Sequence, residues 1–242
     1  PMLTPKGKLY GDLTVACLAD DHFMLFGSGA MQEAHRRWFE KQLPDNVSYA
    51  NVSDEWHGIA LSGPRSRALL ADLMRDDIAS MKFRDSRETF VAGVPVIINR
   101  ISFSGELGYE IYCRPPYLIR LAKAIETAGA DYGYRWYGER ALMSMRLEKG
   151  WGAWGLEFRP DFDVHESNMD IFINWKKDFV GKVASLAAKN TPPKQKLVTM
   201  VIDVAGIDVC NDEAILKDGN AVGYVSSGGY AHRAQKSMAM GY

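Results

Sequence analysis

The stretch from Phe103 to Tyr112, FSGELGYEIY, decides how this chain is read. Its aromatic and β-branched residues ask for a strand, yet it carries two glycines and two carboxylates. Both are unfavourable inside a strand unless another backbone, a partner or a ligand comes close. With residues 109–112 extended behind a turn at 105–108, Tyr109 and Ile111 face one way and Glu110 and Tyr112 the other. One carboxylate then stands on a sheet face. A carboxylate accepts two parallel hydrogen bonds and is satisfied by any planar fork of donors. Arg100 or Arg146 could supply that fork, and so could the amide and amino edge of a flat heterocycle such as a pterin. The residues alone leave these readings open.

Working outward, residues 90–101 read as a strand or hairpin turning at Ala92-Gly93. Pro115-Pro116 opens a helix to about residue 128, with Gly129 as its C-cap, and a second helix over 137–149 ends at Gly150. Upstream, residues 9–17 and 22–26 are strands around Ala19-Asp20-Asp21, and helical spacing marks residues 30–43. Strands are expected at 47–52 and 58–62, the second leading into GPRSRALLADLM with Pro64 in the first helical turn. Strands followed in pairs by helices predict an α+β fold, with helices covering mostly antiparallel sheets. After Lys189 the text changes: NTPPKQK reads as a linker, followed by strands and Gly/Asp/Asn turns. The expected organisation is a region over 1–189, of two interleaved subdomains with its N-terminal part missing, and an incomplete all-β, barrel-like module over 190–242. Pro1 in place of an initiator Met, and an end inside the strand-like KSMAMGY, suggest a piece of a longer polypeptide.

The 242 residues are 47% hydrophobic, enough for a substantial core. A formal net charge of −1 provides no global field for nucleic acid or an anionic membrane surface. No run approaches the roughly 20 apolar residues of a membrane span. The three cysteines, Cys17, Cys113 and Cys210, are too far apart for a zinc site or a disulfide framework and are expected to be buried thiols. These features predict a cytoplasmic protein, or a mitochondrial matrix protein in a eukaryote.

Several familiar sites fail on inspection. FGSGAMQ has Gln32 at the third glycine position of a dinucleotide loop. Ser66 in GPRSR lacks the flanking glycine of a nucleophile elbow. The histidines show no metal-ligand spacing, and no metal is expected. Two further features remain. Asp12 interrupts the apolar alternation of YGDLTV, as either a turn cap or an acid with a task. RLEKGWGAWGLEF, residues 146–158, interleaves Trp with Gly, as the wall of a flat-ligand pocket or as an ordinary packed loop.

Six blocks in order, KLYGDLTVACLADDHFML, ALSGPRSRALL, FSGELGYEIY, GERALMSMRLEKGWGAWGLEF, KKDFVGKVA and NDEAILKDGNAVGYVSSGGY with KSMAMGY, give the chain its affinity. It resembles the folate-binding aminomethyltransferase family of the glycine-cleavage T-protein, and most of all the C-terminal part of dimethylglycine and sarcosine dehydrogenases. The resemblance implies tetrahydrofolate as cofactor and transfer of a one-carbon unit from a methylated-amine donor, forming 5,10-methylenetetrahydrofolate. FAD would belong only to an upstream domain, so a flavin amine-oxidase domain or subunit is the implied partner. By the same resemblance Asp12 is the catalytic carboxylate and Glu110 recognises the pterin. Phe103, Trp154, Tyr109 and Arg146 complete the expected cofactor-binding set. There are departures: Phe103 stands where the family usually has Tyr, Leu142 where T-proteins have Arg, and ESNM (166–169) where Glu-Ala-Gly-Leu is usual. They keep two other readings in play, a non-catalytic folate-fold binding or regulatory protein and a folate-dependent demethylase of another methyl donor.

Overall fold

The computed structural model describes residues 1–242. In chain order the elements are β1 (Met2–Leu3), β2 (Leu9–Gly11), β3 (Thr14–Ala19), β4 (His22–Phe26), α1 (Gln32–Gln42), β5 (His57–Ser62), α2 (Ser66–Leu73), β6 (Ser86–Val91), β7 (Val94–Asn99), β8 (Gly108–Cys113), α3 (Leu118–Gly129), α4 (Glu139–Lys149), α5 (Lys182–Lys189), β9 (Val198–Ile202), β10 (Ala214–Lys217), β11 (Asn220–Ala231) and β12 (Lys236–Gly241). The chain packs as two compact units. One comprises Pro1–Thr14, Phe26–Arg37 and Met143–Tyr242; the other comprises Val15–Leu25 and Trp38–Leu142. The last four strands group with the first two in one of these units.

In the unit containing residues 38–142, four antiparallel strands run in the order β5-β8-β7-β6. Pairing of Ile59 with Ile111 and of Ile111 with Ile98 puts alternate residues on one face. Leu61, Tyr109, Ile111, Val96 and Ile98 on that face join Leu69 and Leu70 of α2 and Leu121 and Ile125 of α3 in one buried core. The β6–β7 hairpin turns at Ala92 and Gly93, with φ of 50° and 73°. A two-residue loop with both φ positive matches the natural strand twist, so this turn fixes the register of β6 against β7.

Three local expectations need correction. Residues 47–52 form no strand: Asn51 Oδ1 accepts from the Ser53 amide at 3.0 Å, and Tyr49 stacks on Phe39 at 5.3 Å, holding the segment in an irregular course. Gly129 does not end α3 in a left-handed conformation, since its φ is −67° and Gly133 takes the left-handed position at 72°. Gly129 is needed for a close approach instead, because a Cβ there would lie 2.5 Å from Cβ of Tyr134. Of the cysteines only Cys113 is buried, while Cys17 and Cys210 are exposed.

In the other unit β1 pairs with β2, and the C-terminal strands form an antiparallel sheet in the order β10-β11-β12-β9. Leu3 and Leu9, Leu147 of α4, Phe158, Phe162 and Val164 of the following loop, and Met238 and Met240 of β12 share its core. Tyr242 stacks on Phe162 at 3.7 Å and donates from its hydroxyl to the Glu157 carbonyl at 2.8 Å. No helix is long and apolar enough to cross a membrane.

Candidate active site

Glu110 lies on β8, between Ala60 of β5 and Asn99 of β7. Period-two alternation places these three on the face opposite the helix-covered core. The Tyr112 hydroxyl donates to Glu110 Oε2 at 2.8 Å, and burial beside that carboxylate pushes the phenol well above its ordinary pKa. Tyr112 therefore stays a donor throughout the working range. Its ring needs the space that Gly58 leaves, since a Cβ at Gly58 would sit 2.8 Å from Cε1. Asn99 is 1% exposed, and neither its Oδ1 nor its Nδ2 has a hydrogen-bond partner. A buried amide without partners costs about 1–3 kcal/mol, so its retention beside a carboxylate points to a group that is to be received there.

The two glycines of the opening stretch have distinct causes. Gly105 takes φ of 83° in the turn between β7 and β8. Gly108 admits the serine cluster, because a Cβ there would lie 2.7 Å from Cβ of Ser102, whose hydroxyl is 2.7 Å from that of Ser104. At the β5 edge a cleft of about 600 Å³ is lined on the helix-covered side by Ile59, Leu61, Leu69 and Ile125, by Tyr134 and Trp136 of the α3–α4 connection and Leu142, and also by Gly58, Ala60 and Ser62. The last three are cross-strand neighbours of Tyr112, Glu110 and Gly108. Among metal-capable side chains, no group of three or more gathers anywhere.

Two expected ligand contacts are turned elsewhere. Tyr109 is 1% exposed on the helix side of β8, and its hydroxyl accepts from Arg67 Nε at 3.1 Å, so it does not share a face with Glu110. Arg146 is buried in the other unit and donates from Nη1 to Glu157 Oε2 at 2.9 Å and to the Trp151 carbonyl at 3.1 Å. Its Nη2 donates to Ser227 Oγ at 2.5 Å, while Ser226, Ser227 and the Ala153 amide donate to the same Glu157 carboxylate. The two Nη groups that sequence reading offered to a ligand, or to Glu110, are thus engaged by Glu157, Trp151 and Ser227, while the buried Nε has no hydrogen-bond partner. Phe103 is half-buried in the turn that precedes β8.

Asp12 follows β2 directly and is half-buried. Burial raises its carboxyl above the ordinary carboxylate range, against the lowering pull of the Pro1 ammonium. The strand feeding it is bulged: Met2 pairs with Gly11 and Leu3 with Leu9, leaving Tyr10 without a partner on β1. On the other side of Asp12, the Leu13 side chain fills the place of a side chain at Gly27, where a Cβ would meet Leu13 Cδ2 at 2.2 Å. Trp154 lies in the same unit, half-buried, with its indole edge-on to the His35 ring at 6.3 Å.

Sequence reading missed Asn99, Tyr112 and His35. Asn99 was hidden because VPVIIN reads as a continuous apolar run with a polar end. Its pairing with Glu110 depends on the β7–β8 register across residues 100–107, which the Ala92-Gly93 turn between β6 and β7 does not set.

A four-stranded antiparallel sheet with helices on one face and an acid on the other, joined in one chain to a β module, defines a class of domain. The chain belongs to the glycine cleavage T-protein family: the GCVT N-terminal domain matches residues 1–177, and the glycine cleavage T-protein C-terminal barrel domain matches residues 195–242. It is 35% identical to human mitochondrial dimethylglycine dehydrogenase over 249 aligned residues, covering 100% of this chain and 29% of that protein. It is 29% identical to the aminomethyltransferase of Halothermothrix orenii, covering 100% of this chain and 68% of that one. The chain thus spans less than a third of the length of the dimethylglycine dehydrogenase it matches. In fold it matches the glycine cleavage system aminomethyltransferase T of Bartonella henselae with a TM-score of 0.87 and 24% identity, over 99% of this chain and 65% of that structure.

Proposed function

We propose that the protein binds tetrahydrofolate and passes to it a one-carbon unit from a demethylated amine such as dimethylglycine or sarcosine, giving 5,10-methylenetetrahydrofolate. The observation that carries the reading is the Glu110 carboxylate on a sheet face beside the orphaned Asn99 amide. The pair offers a two-acceptor edge next to one donor and one acceptor, which suits the donor-rich rim of a pterin. Tetrahydrofolate, when bound, supplies the nucleophilic nitrogen. The rest of the work belongs to the chain.

Glu110, held by the Tyr112 hydroxyl, orients the heterocycle. Tyr134 and Trp136 give the cleft at the β5 edge flat apolar walls. Asp12 acts as an anion, accepting the proton released at the reacting nitrogen and balancing the transient positive charge of the one-carbon donor. The family relationship and the human dimethylglycine dehydrogenase relative support this assignment, with a flavin amine-oxidase domain or subunit as the source of the one-carbon unit.

The test is formaldehyde capture by tetrahydrofolate above the uncatalysed background, comparing wild type with Asp12→Asn. The substitution is expected to slow capture by about 100-fold or more, the usual share of a positioned acid or base. Because Asp12 must be ionised and burial raises its pKa, the acid limb of the wild-type profile is expected above the normal Asp value of about 3.9. A carboxyl whose folded pKa exceeds its unfolded one costs stability once pH passes the folded value, and costs none below the unfolded value. Asp12→Asn is therefore expected to raise the melting temperature at pH 7 while removing activity. Equal capture rates would take Asp12 out of the mechanism. They would favour a binding or regulatory protein, a reading to which Leu142 in the cleft and the hydroxyl-free Phe103 give specific support.

A further inference from the structure

We propose that His35 is the positioning residue for Asp12, its imidazole fixing the bulged strand that aims the carboxylate and at the same time setting the Trp154 indole. The inference rests on the catalytic reading of Asp12. The bulge leaves Tyr10 with no partner on β1, and an extra residue of this kind re-aims the side chains that follow it. The Tyr10 carbonyl is met by His35 Nε2 at 2.9 Å. A carbonyl only accepts, so Nε2 carries a proton in this contact.

The ring is built in. His35 is 5% exposed, the one buried side chain of α1. It lies so close to the strand that a Cβ at Gly11 would sit 2.7 Å from Nε2, so the residue before Asp12 must be glycine for the imidazole to reach. Leu13, the residue after Asp12, is packed into the space over Gly27, and a Cβ at Gly27 would lie 3.7 Å from His35 Nδ1. Asp12 is thus held between two chain neighbours, each seated by a glycine contact that borders the same ring. The ring's further contacts are the Tyr10 ring, at 6.0 Å, and the Trp154 indole, edge-on at 67° between planes. A bulge alone would leave the direction of Asp12 soft. The imidazole donor converts it into one fixed conformation, and misplacement by about 1 Å is enough to cost on the order of 100-fold in rate.

The test compares His35→Phe, which fills the ring volume without a donor, with His35→Gln, whose amide can restore the bond to the Tyr10 carbonyl. Formaldehyde capture is measured as separate kcat and KM values, beside the dissociation constant for 5-formyltetrahydrofolate. His35→Phe is expected to lower kcat about ten-fold or more with KM and folate affinity within about two-fold of wild type, and His35→Gln to recover most of kcat. Long-range proton–nitrogen correlation spectra of the wild type should show His35 as the Nε2–H tautomer. Should His35→Phe fail to fold, His35→Gln and the tautomer carry the test: near-normal kcat with Nε2–H supports the proposal, and a low kcat or Nδ1–H overturns it. Asp12→Asn is assayed in parallel. If Asp12→Asn is inactive while His35→Phe matches wild type, the role of His35 falls and the catalytic reading stands. If Asp12→Asn is fully active, both fall.

Discussion

Arg146→Ala is expected to lower the melting temperature of the protein by about 10 °C, the largest stability loss of any single side chain considered. Removing the cation strands the Glu157 carboxylate, which is 0% exposed, with only serine and backbone donors. Breaking a buried pair by taking away one partner costs about 3–5 kcal/mol, since the remaining charge is uncompensated. For a chain of this size about 1 kcal/mol shifts melting by roughly 2–4 °C. Desolvation pulls the guanidinium pKa down and Glu157 holds it up, so the buried cation is costly without its partner. Glu157→Gln should accordingly be destabilising as well. The double variant Arg146→Ala/Glu157→Gln should lose less than the sum of the two, because the second change removes the stranded charge left by the first. Differential scanning calorimetry of the four proteins measures both quantities. At temperatures where Arg146→Ala remains folded, its affinity for 5-formyltetrahydrofolate should match wild type. A stable Arg146→Ala variant with lost affinity would restore this side chain to the ligand.

Glu110→Gln is expected to show the opposite pattern. Its melting temperature should stay within a few degrees of wild type, while affinity for 5-formyltetrahydrofolate falls by about 10- to 100-fold. A hydrogen bond to a charged group is worth about 1.5–3 kcal/mol, and each 1.4 kcal/mol is about ten-fold in binding. The amide also presents a donor where the heterocycle presents donors, so one contact becomes a mismatch as well as a loss. Tryptophan fluorescence can report the titration, with Trp136 lining the cleft at the β5 edge. Unchanged affinity would mean that Glu110 is held for Tyr112 and not for a ligand.

The two substitutions separate what the sequence disclosed from what it concealed. Alternation in GYEIYC was enough to put Glu110 and Tyr112 on one face and Tyr109 and Ile111 on the other, and the strand lies as that pattern requires. The same rule already separated Tyr109 from Glu110, so Tyr109 belonged with the core from the start. Arg146 was misjudged for another reason. Its side-chain partners Glu157 and Ser227 lie 11 and 81 positions away in sequence, and no local pattern announces such a buried ion pair. His35 sat in helical text as a packing residue, and only the bulge at Tyr10 and the bareness of Gly11 show what it packs against. Gly108 of the opening stretch makes room for Ser102, as Gly58 does for Tyr112, and Gly129, expected as a C-cap, makes room for Tyr134. The all-β C-terminal module was legible from turn spacing alone, whereas its grouping with residues 1–14 was not, because that packing joins the two ends of the chain.

A crystal structure of the protein with 5-formyltetrahydrofolate tests the central claim most directly. The account predicts the pterin amide and amino edge within hydrogen-bond distance of both Glu110 carboxylate oxygens, with the Asn99 amide no longer lacking a partner. Density for the ligand elsewhere, with Glu110 still bonded to Tyr112 and Asn99 still unpaired, would contradict it.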